Sequence, residues 1–157
     1  MKPRRERSKR MRALRLWSWS EVTKAVAYLH SVIGSLREHW LEVLRAQRQI
    51  DLASKQNSPA NRQQIIDEAS RADERQRAQT KFDDALEELN GIDVFLLDPV
   101  KGSALIPFRK EDDLAWYVFD HFAKPGVIGW RYHQDPIEEC RPLETPVEAT
   151  IDDSVPK

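Results

Sequence analysis

An apolar stripe at helical spacing runs through the first third of the chain and constrains the fold more than any other feature. Its members recur at steps of three and four residues, apart from a looser last step: Val22, Ala25, Val26, Leu29, Val32, Ile33, Leu36, Trp40, Val43, Leu44 and Ile50. This spacing predicts one helix of roughly 36 to 38 residues within 17–56, about 55 Å long at 1.5 Å per residue. Ser18 and Glu21 predict a capping box at its start, with Trp17 and Val22 as an apolar staple.

A second helix is predicted over 58–90. We expect Ser58 to cap it, with Pro59 at the first helical position, and Gly91 to end it in the left-handed conformation. The short connection predicts an antiparallel hairpin, with Trp40 opposite Ala72. The inner side of the second helix is predicted to carry its apolar residues, which are Ile65, Ile66, Ala69, Ala72, Phe82, Ala85, Leu86 and Leu89.

The middle of the second helix is poor in apolar residues. Between Asp67 and Lys81 it carries only alanines as apolar residues, among many charges. The loop end of the hairpin is therefore predicted to be a thin arm with two solvated faces, and the core is expected at the other end. A long, narrow arm of this kind favours association with a protein partner or with a second copy of the chain.

After Gly91 the apolar period changes from 3.6 to 2, which indicates strands. Four short strands are predicted over 92–98, 103–108, 114–120 and 127–133, and the short loops between them require an antiparallel meander. One sheet face is expected to pack on the open end of the hairpin, and the other is a candidate contact surface. The predicted fold is thus α+β: a long antiparallel helical hairpin followed by a small antiparallel β-meander, in one domain over 17–143.

Charge is distributed unevenly along the chain, although the formal total is −1. Residues 1–16 hold eight bases and one acid, net +7, whereas 17–157 hold seventeen bases and twenty-five acids, net −8. We predict a disordered basic segment over 1–16 and a disordered acidic tail over 144–157. The basic segment is a candidate for nucleic-acid binding through Arg4, Arg5, Arg7, Lys9, Arg10 and Arg12.

Cysteine usage and hydropathy indicate the compartment. The single cysteine, Cys140, excludes an intramolecular disulfide and any CxxC site. No apolar run is long enough for a membrane span, and the basic start is not followed by the apolar run of a secretory signal. We therefore predict a cytoplasmic protein without a membrane span.

The order of several short motifs resembles the prokaryotic family catalogued as domain of unknown function 2203, over about Trp17 to Leu143. The motifs follow the capped long helix and are Leu89-Asn90-Gly91-Ile92, Asp98-Pro99-Val100-Lys101-Gly102, Pro107-Phe108, a Trp-containing strand, Ile128-Gly129-Trp130-Arg131-Tyr132-His133-Gln134-Asp135 and Arg141-Pro142-Leu143. His133 and Asp135 match a His and an acidic residue of the family pattern. Tyr132 replaces its Trp, and Pro136 to Glu139 stand where it has a glycine. The resemblance implies a fold but no chemistry, since the family name records no assigned function.

Candidate chemistry is confined to the end of the fourth strand. The chain has no GxGxxG, phosphate-loop, HExxH or GxSxG motif. His133 and Asp135 are candidates for a metal or acid/base site, with hydrogen-bonded strand-end residues as the alternative. Arg131 is interpreted as an ion-pair partner or interface anchor, Trp130 as a core or stacking residue, and Arg141 as a recognition residue or a pin to an acidic side chain. The sequence indicates no particular cofactor.

Three functional hypotheses follow. The first is a non-enzymatic interaction or scaffold module that acts through the hairpin and the exposed sheet face. The second is a metal-binding or acid/base site around His133 and Asp135. The third is nucleic-acid binding through the basic N-terminal segment.

Overall fold

The computed structural model describes residues 13–55 and 61–143. They form two helices followed by a four-stranded antiparallel sheet, which confirms the α+β prediction. The elements are α1 (Trp19–Ser54), α2 (Arg62–Gly91), β1 (Phe95–Asp98), β2 (Ser103–Lys110), β3 (Asp113–Asp120) and β4 (Val127–Tyr132). Most of the predicted basic segment, including Arg4 to Arg12, and the predicted acidic tail lie outside the described residues.

The start of α1 follows the local sequence. The Ser18 hydroxyl accepts from the backbone N–H of Glu21 at 3.1 Å, and the Glu21 carboxylate accepts from the N–H of Ser18 at 3.0 Å, so the predicted capping box is present. Trp17 and Val22 are both buried, as expected of a staple. The Trp17 indole also donates to the carbonyl of Ile92, which ties the start of α1 to the end of α2.

Both ends of α2 differ from the prediction. Asn61 caps the helix by accepting from the N–H of Gln64 at 2.8 Å, whereas Ser58 and Pro59 lie outside the described residues. Gly91 belongs to the helix, and the left-handed residue is Asp93 (φ 60°). Asp tolerates that conformation, and its buried carboxylate accepts from the N–H of Arg15 at 2.9 Å. This tertiary contact stabilises the left-handed conformation at Asp93, two residues after the glycine at which the sequence predicts it.

The sheet has the order β1-β2-β3-β4, so it is the predicted meander. In the β2–β3 register, Phe108 lies opposite Ala115 and Ile106 opposite Tyr117. The face shared by these residues supplies much of the core and packs on the helices through Ala104, Ile106, Phe108, Ala115, Tyr117, Phe119 and Trp130. The core therefore lies at the open end of the hairpin, where the polar middle of α2 predicted it.

The other sheet face is more closed than the sequence predicts. Val118 and Arg131 are buried on it, and Trp116 is half-buried with its ring 5.8 Å from that of Phe95. Side chains of β1 and β3 thus cover one another on this face. The sheet face consequently offers less apolar contact surface than its alternating pattern suggests.

The hairpin is antiparallel, but its pairing is shifted from the prediction. Trp40 packs against Phe82, with ring centroids 5.0 Å apart, rather than against Ala72. Two causes act together: the first helical residue of α2 lies three positions later than predicted, and helical side chains lean toward the N-terminus of their own helix. In an antiparallel pair, facing long side chains lean toward each other, so they meet although their Cα atoms are staggered.

Candidate functional site

Of the predicted site residues at the end of β4, Arg131 and Arg141 come together around Asp135, whereas His133 does not. The Asp135 carboxylate accepts from Arg141 through Nε at 2.9 Å and Nη2 at 3.0 Å, and also from the backbone N–H of Tyr132 at 2.9 Å. Arg131 donates to the Asp135 backbone carbonyl. The hydrogen bonds from Arg141, then the one from Tyr132, lower the pKa of Asp135 to about 2. The carboxylate is thus a charged acceptor with both oxygens occupied.

His133 has separate partners. Its Nδ1 accepts from the Trp116 indole at 3.1 Å, so its proton lies on Nε2 in this arrangement, and its backbone N–H donates to Leu114. The His133 ring therefore does not form a pair with the Asp135 carboxylate. Among residues 13–55 and 61–143, no group of three or more His, Cys, Asp or Glu side chains is placed to hold a metal ion.

Trp130 and Arg141 complete the cluster. The Arg141 guanidinium lies 5.4 Å from the Trp130 ring centroid and 4.9 Å from that of Tyr132, and the backbones of Trp130 and Arg141 form an antiparallel bridge. A Cβ on Gly129 would lie 2.4 Å from the Arg141 carbonyl oxygen, so the chain segments touch. We call Trp130, Asp135 and Arg141 the C-terminal clasp, because together they fix residues 135–141 along β4. The predicted pin from Arg141 to an acidic side chain is present.

A histidine pair that the sequence does not reveal lies where α1 meets the sheet. The His30 and His121 rings are 5.5 Å apart, and His30 Nε2 donates to the Pro125 carbonyl at 2.9 Å. A Cβ on Gly34 would lie 2.8 Å from the His121 ring, which explains a glycine inside a long helix. The one sequence signal is that glycine. The pair joins α1 to the sheet, and the described residues around it supply no third metal ligand.

The loop end of the hairpin contradicts the predicted inner side of α2. We define the arm as residues 41–54 of α1 with 62–81 of α2. The α2 residues that are buried or half-buried in the arm are mostly polar: Gln64, Asp67, Arg71, Arg75, Ala78 and Gln79. We call the first five, which follow one another at steps of three and four, the seam. Predicted inner residues Ile65 and Ile66 are instead 59% and 50% exposed, and Ala69 and Ala72 are exposed as well.

The physical reason is helical geometry. One residue advances 100° around a helix, so Ala69 lies 200° from both Asp67 and Arg71. Because Phe82 and Ala78 must face α1 at the base of the arm, the residues three and four positions earlier face it too. Buried Phe82 and Ala78 thus orient α2 so that its isoleucines face solvent. The Nε of Arg75 is buried in the seam without a hydrogen-bond partner among the described residues.

A shallow groove runs along one side of the arm between the helices. Its walls carry both signs of charge, with Glu42 and Glu74 beside Arg45 and Arg77, and Ala46 and Ala78 lie between them. Mixed charge at this spacing favours neither an anion nor a cation. The groove is therefore a solvated boundary of the hairpin.

The chain matches no family model, no curated protein and no solved structure. Its resemblance to domain of unknown function 2203 therefore stays a prediction. Of the helices in the described ranges, none is both long and apolar enough to cross a membrane.

Proposed function

We propose that the protein is a non-enzymatic interaction module whose arm binds a protein partner. One observation carries the proposal: the arm exposes Ile65 and Ile66 to solvent while it places Arg71 and Arg75 in the seam between its own helices. A hairpin that needed only to fold on itself would gain more from the opposite arrangement, because burying apolar area is the main favourable term. The exposed isoleucines are therefore available to bind a surface of another protein chain.

The other candidate surfaces already make contacts within the chain, which supports the arm as the binding surface. The carboxylate of Asp135 is engaged by Arg141 and Tyr132, and the His133 ring is engaged by Trp116. The outer sheet face is largely closed by its own side chains. Four of the large apolar side chains that are exposed within the described residues belong to the arm: Leu44, Leu52, Ile65 and Ile66.

Site-specific photo-crosslinking in cells tests the proposal. A photoreactive residue is placed at Ile66 on the arm, and the matched control is placed at Ile128 on β4, which has a similar exposed fraction of 45%. We expect one or a few discrete adducts from position 66, and only weak, diffuse products from position 128. Diffuse products at both positions, or discrete adducts at Ile128 alone, would contradict an arm-based function.

A further inference from the structure

The exposed side of α2 has an ordered pattern at the tip of the arm. Arg62, Ile66, Ala69 and Asp73 follow one another at steps of four, three and four, which forms a straight stripe along one helix face. All four are exposed, and they lie on the side of α2 away from the seam. Ile65 and Ala72 flank the stripe on one side, seven residues apart. We call these six residues the tip stripe.

From this pattern, and resting on the proposed function of the arm, we propose that the partner is a second copy of the chain, whose tip stripe packs antiparallel on the first. A two-fold axis midway between Asp67 and Glu68 brings Arg62 opposite Asp73 of the second copy. The same axis brings Ile66 opposite Ala69 of the second copy, and it repeats both pairs by symmetry. Each stripe therefore fits a copy of itself.

Size complementarity supports this pairing. Each isoleucine of the stripe meets an alanine: Ile66 meets Ala69 of the second copy, and on the flank Ile65 lies beside Ala72 of the second copy. Large side chains opposite small ones allow two helices to approach closely and to interdigitate. The steps of four and three are those at which antiparallel helices alternate their contact layers.

Charge complementarity fixes the register. The outer layers pair Arg62 with Asp73 of the second copy at both ends of the contact. Sliding one helix so that Ala69 meets its own counterpart would place Asp73 opposite Ile65, which costs both an ion pair and an apolar contact. Within one chain Arg62 and Asp73 are eleven residues apart, about 16 Å along the helix, so they do not pair with each other. In the single chain Asp73 is 3.1 Å from Arg77 and stays largely exposed.

The antiparallel pairing leaves room for the sheets of both copies. The contact covers 62–73, and the sheet of each copy begins beyond Gly91, about 27 Å further along α2. The two sheets thus lie at opposite ends of the pair. Three helical turns make a smaller contact than a standard protein interface, so we expect a weak dimer that forms with increasing concentration.

Charge reversal on the full-length chain tests the pairing by sedimentation velocity over a concentration series. Arg62→Asp alone places two acids opposite each other at each end, and Asp73→Arg alone places two arginines there. We expect each variant to raise the dissociation constant by about tenfold or more relative to the unmodified chain. An equimolar mixture of the two variants restores opposite charges at both ends, so we expect it to form a heterodimer. The double variant is expected to form homodimers again, and circular dichroism checks that every variant keeps its helices.

The mixture is the decisive sample, because rescue requires residues 62 and 73 to meet between chains. Single variants that associate like the unmodified chain would overturn the pairing. So would a mixture or a double variant that stays monomeric, or an unmodified chain that stays monomeric at the highest concentration. In that last case, an Ile66 crosslink to a different protein would keep the proposed function of the arm while ruling out self-pairing.

Discussion

The two ends of the helical hairpin have the same backbone geometry and opposite interiors. At the base, Leu29, Ile33 and Leu36 of α1 are fully buried against the sheet and the end of α2. In the arm, Val43 and Ala78 are the buried residues, and α2 fills the seam with polar side chains. The apolar stripe of α1 extends from the base into the arm through Val43, Leu44 and Ile50. The difference therefore comes from the residues of α2 that lie opposite α1. Which residues of an amphipathic helix are buried depends on the helix that packs against it.

The sharpest way to break this comparison is to remove the same side chain from each region. Leu36→Ala at the base deletes a side chain with 0% exposure, and we expect it to lower the free energy of unfolding by about 2–5 kcal/mol. Leu52→Ala, on the same helix in the arm, removes a side chain that is 45% exposed, and we expect a loss below about 0.5 kcal/mol. Urea denaturation followed by tryptophan fluorescence measures both. Equal losses would mean that the arm is as tightly packed as the base.

The same contrast explains which features could be predicted from the sequence. The Ser18 cap, the length of α1 and the presence of four strands depend on neighbours within a few residues, so local patterns predict them. The orientation of α2 does not, because Phe82 and the long-range core decide which face of the arm is turned inward. The left-handed turn at Asp93 likewise depends on Arg15, seventy-eight residues away in the chain.

The candidate site shows the same division. That His133, Asp135 and Arg141 lie near one strand end follows from their spacing in sequence. The use of Asp135 and Arg141 in the clasp follows from the approach of residues 140–141 to Gly129, which no local pattern contains. The pair of His30 and His121 is missed entirely for this reason, since ninety residues separate its members. The polarity of the seam is missed because the sequence pattern predicts that the isoleucines and alanines of α2 face α1 and that its charged residues face solvent.

The second prediction tests the close contact at the clasp with a pair of glycines. Gly129→Ala puts a methyl group within 2.4 Å of the Arg141 carbonyl oxygen and of the Cys140 sulfur. We expect it to displace residues 140–143 and to lower the free energy of unfolding by about 1–3 kcal/mol.

The matched control is Gly91→Ala, where a Cβ meets nothing within 4 Å and the residue is helical. That substitution is expected to stabilise the protein by up to about 1 kcal/mol, because alanine has the higher helix propensity. Denaturation measures both variants, and exchange of the Arg141 amide reports displacement of the segment. If Gly129→Ala leaves this amide protected, the segment is not held against β4 as the structure has it.

The smallest effect expected is electrostatic, and it contrasts an Asp–Arg pair in the clasp with an Asp–Arg pair in the arm. The pKa of Asp135 is lowered from its usual 3.8 to about 2, first by the hydrogen bonds from Arg141. A lowered folded-state pKa means that the clasp contributes stability fully above pH 3.8, and this contribution is lost as the pH falls toward about 2. The Asp135→Asn side chain cannot ionise, so we expect the loss of unfolding free energy relative to the unmodified chain to be full at neutral pH and to shrink between about pH 4 and pH 2.

In the arm, Asp73 and Arg77 form an exposed i,i+4 pair, and solvent screens it. Asp73→Asn, measured at a concentration that keeps the protein monomeric, is therefore expected to change stability little at any pH. Denaturation of both variants across this pH range separates the cases: parallel curves for Asp135→Asn and the unmodified chain would show that the clasp is not held by the ionised carboxylate.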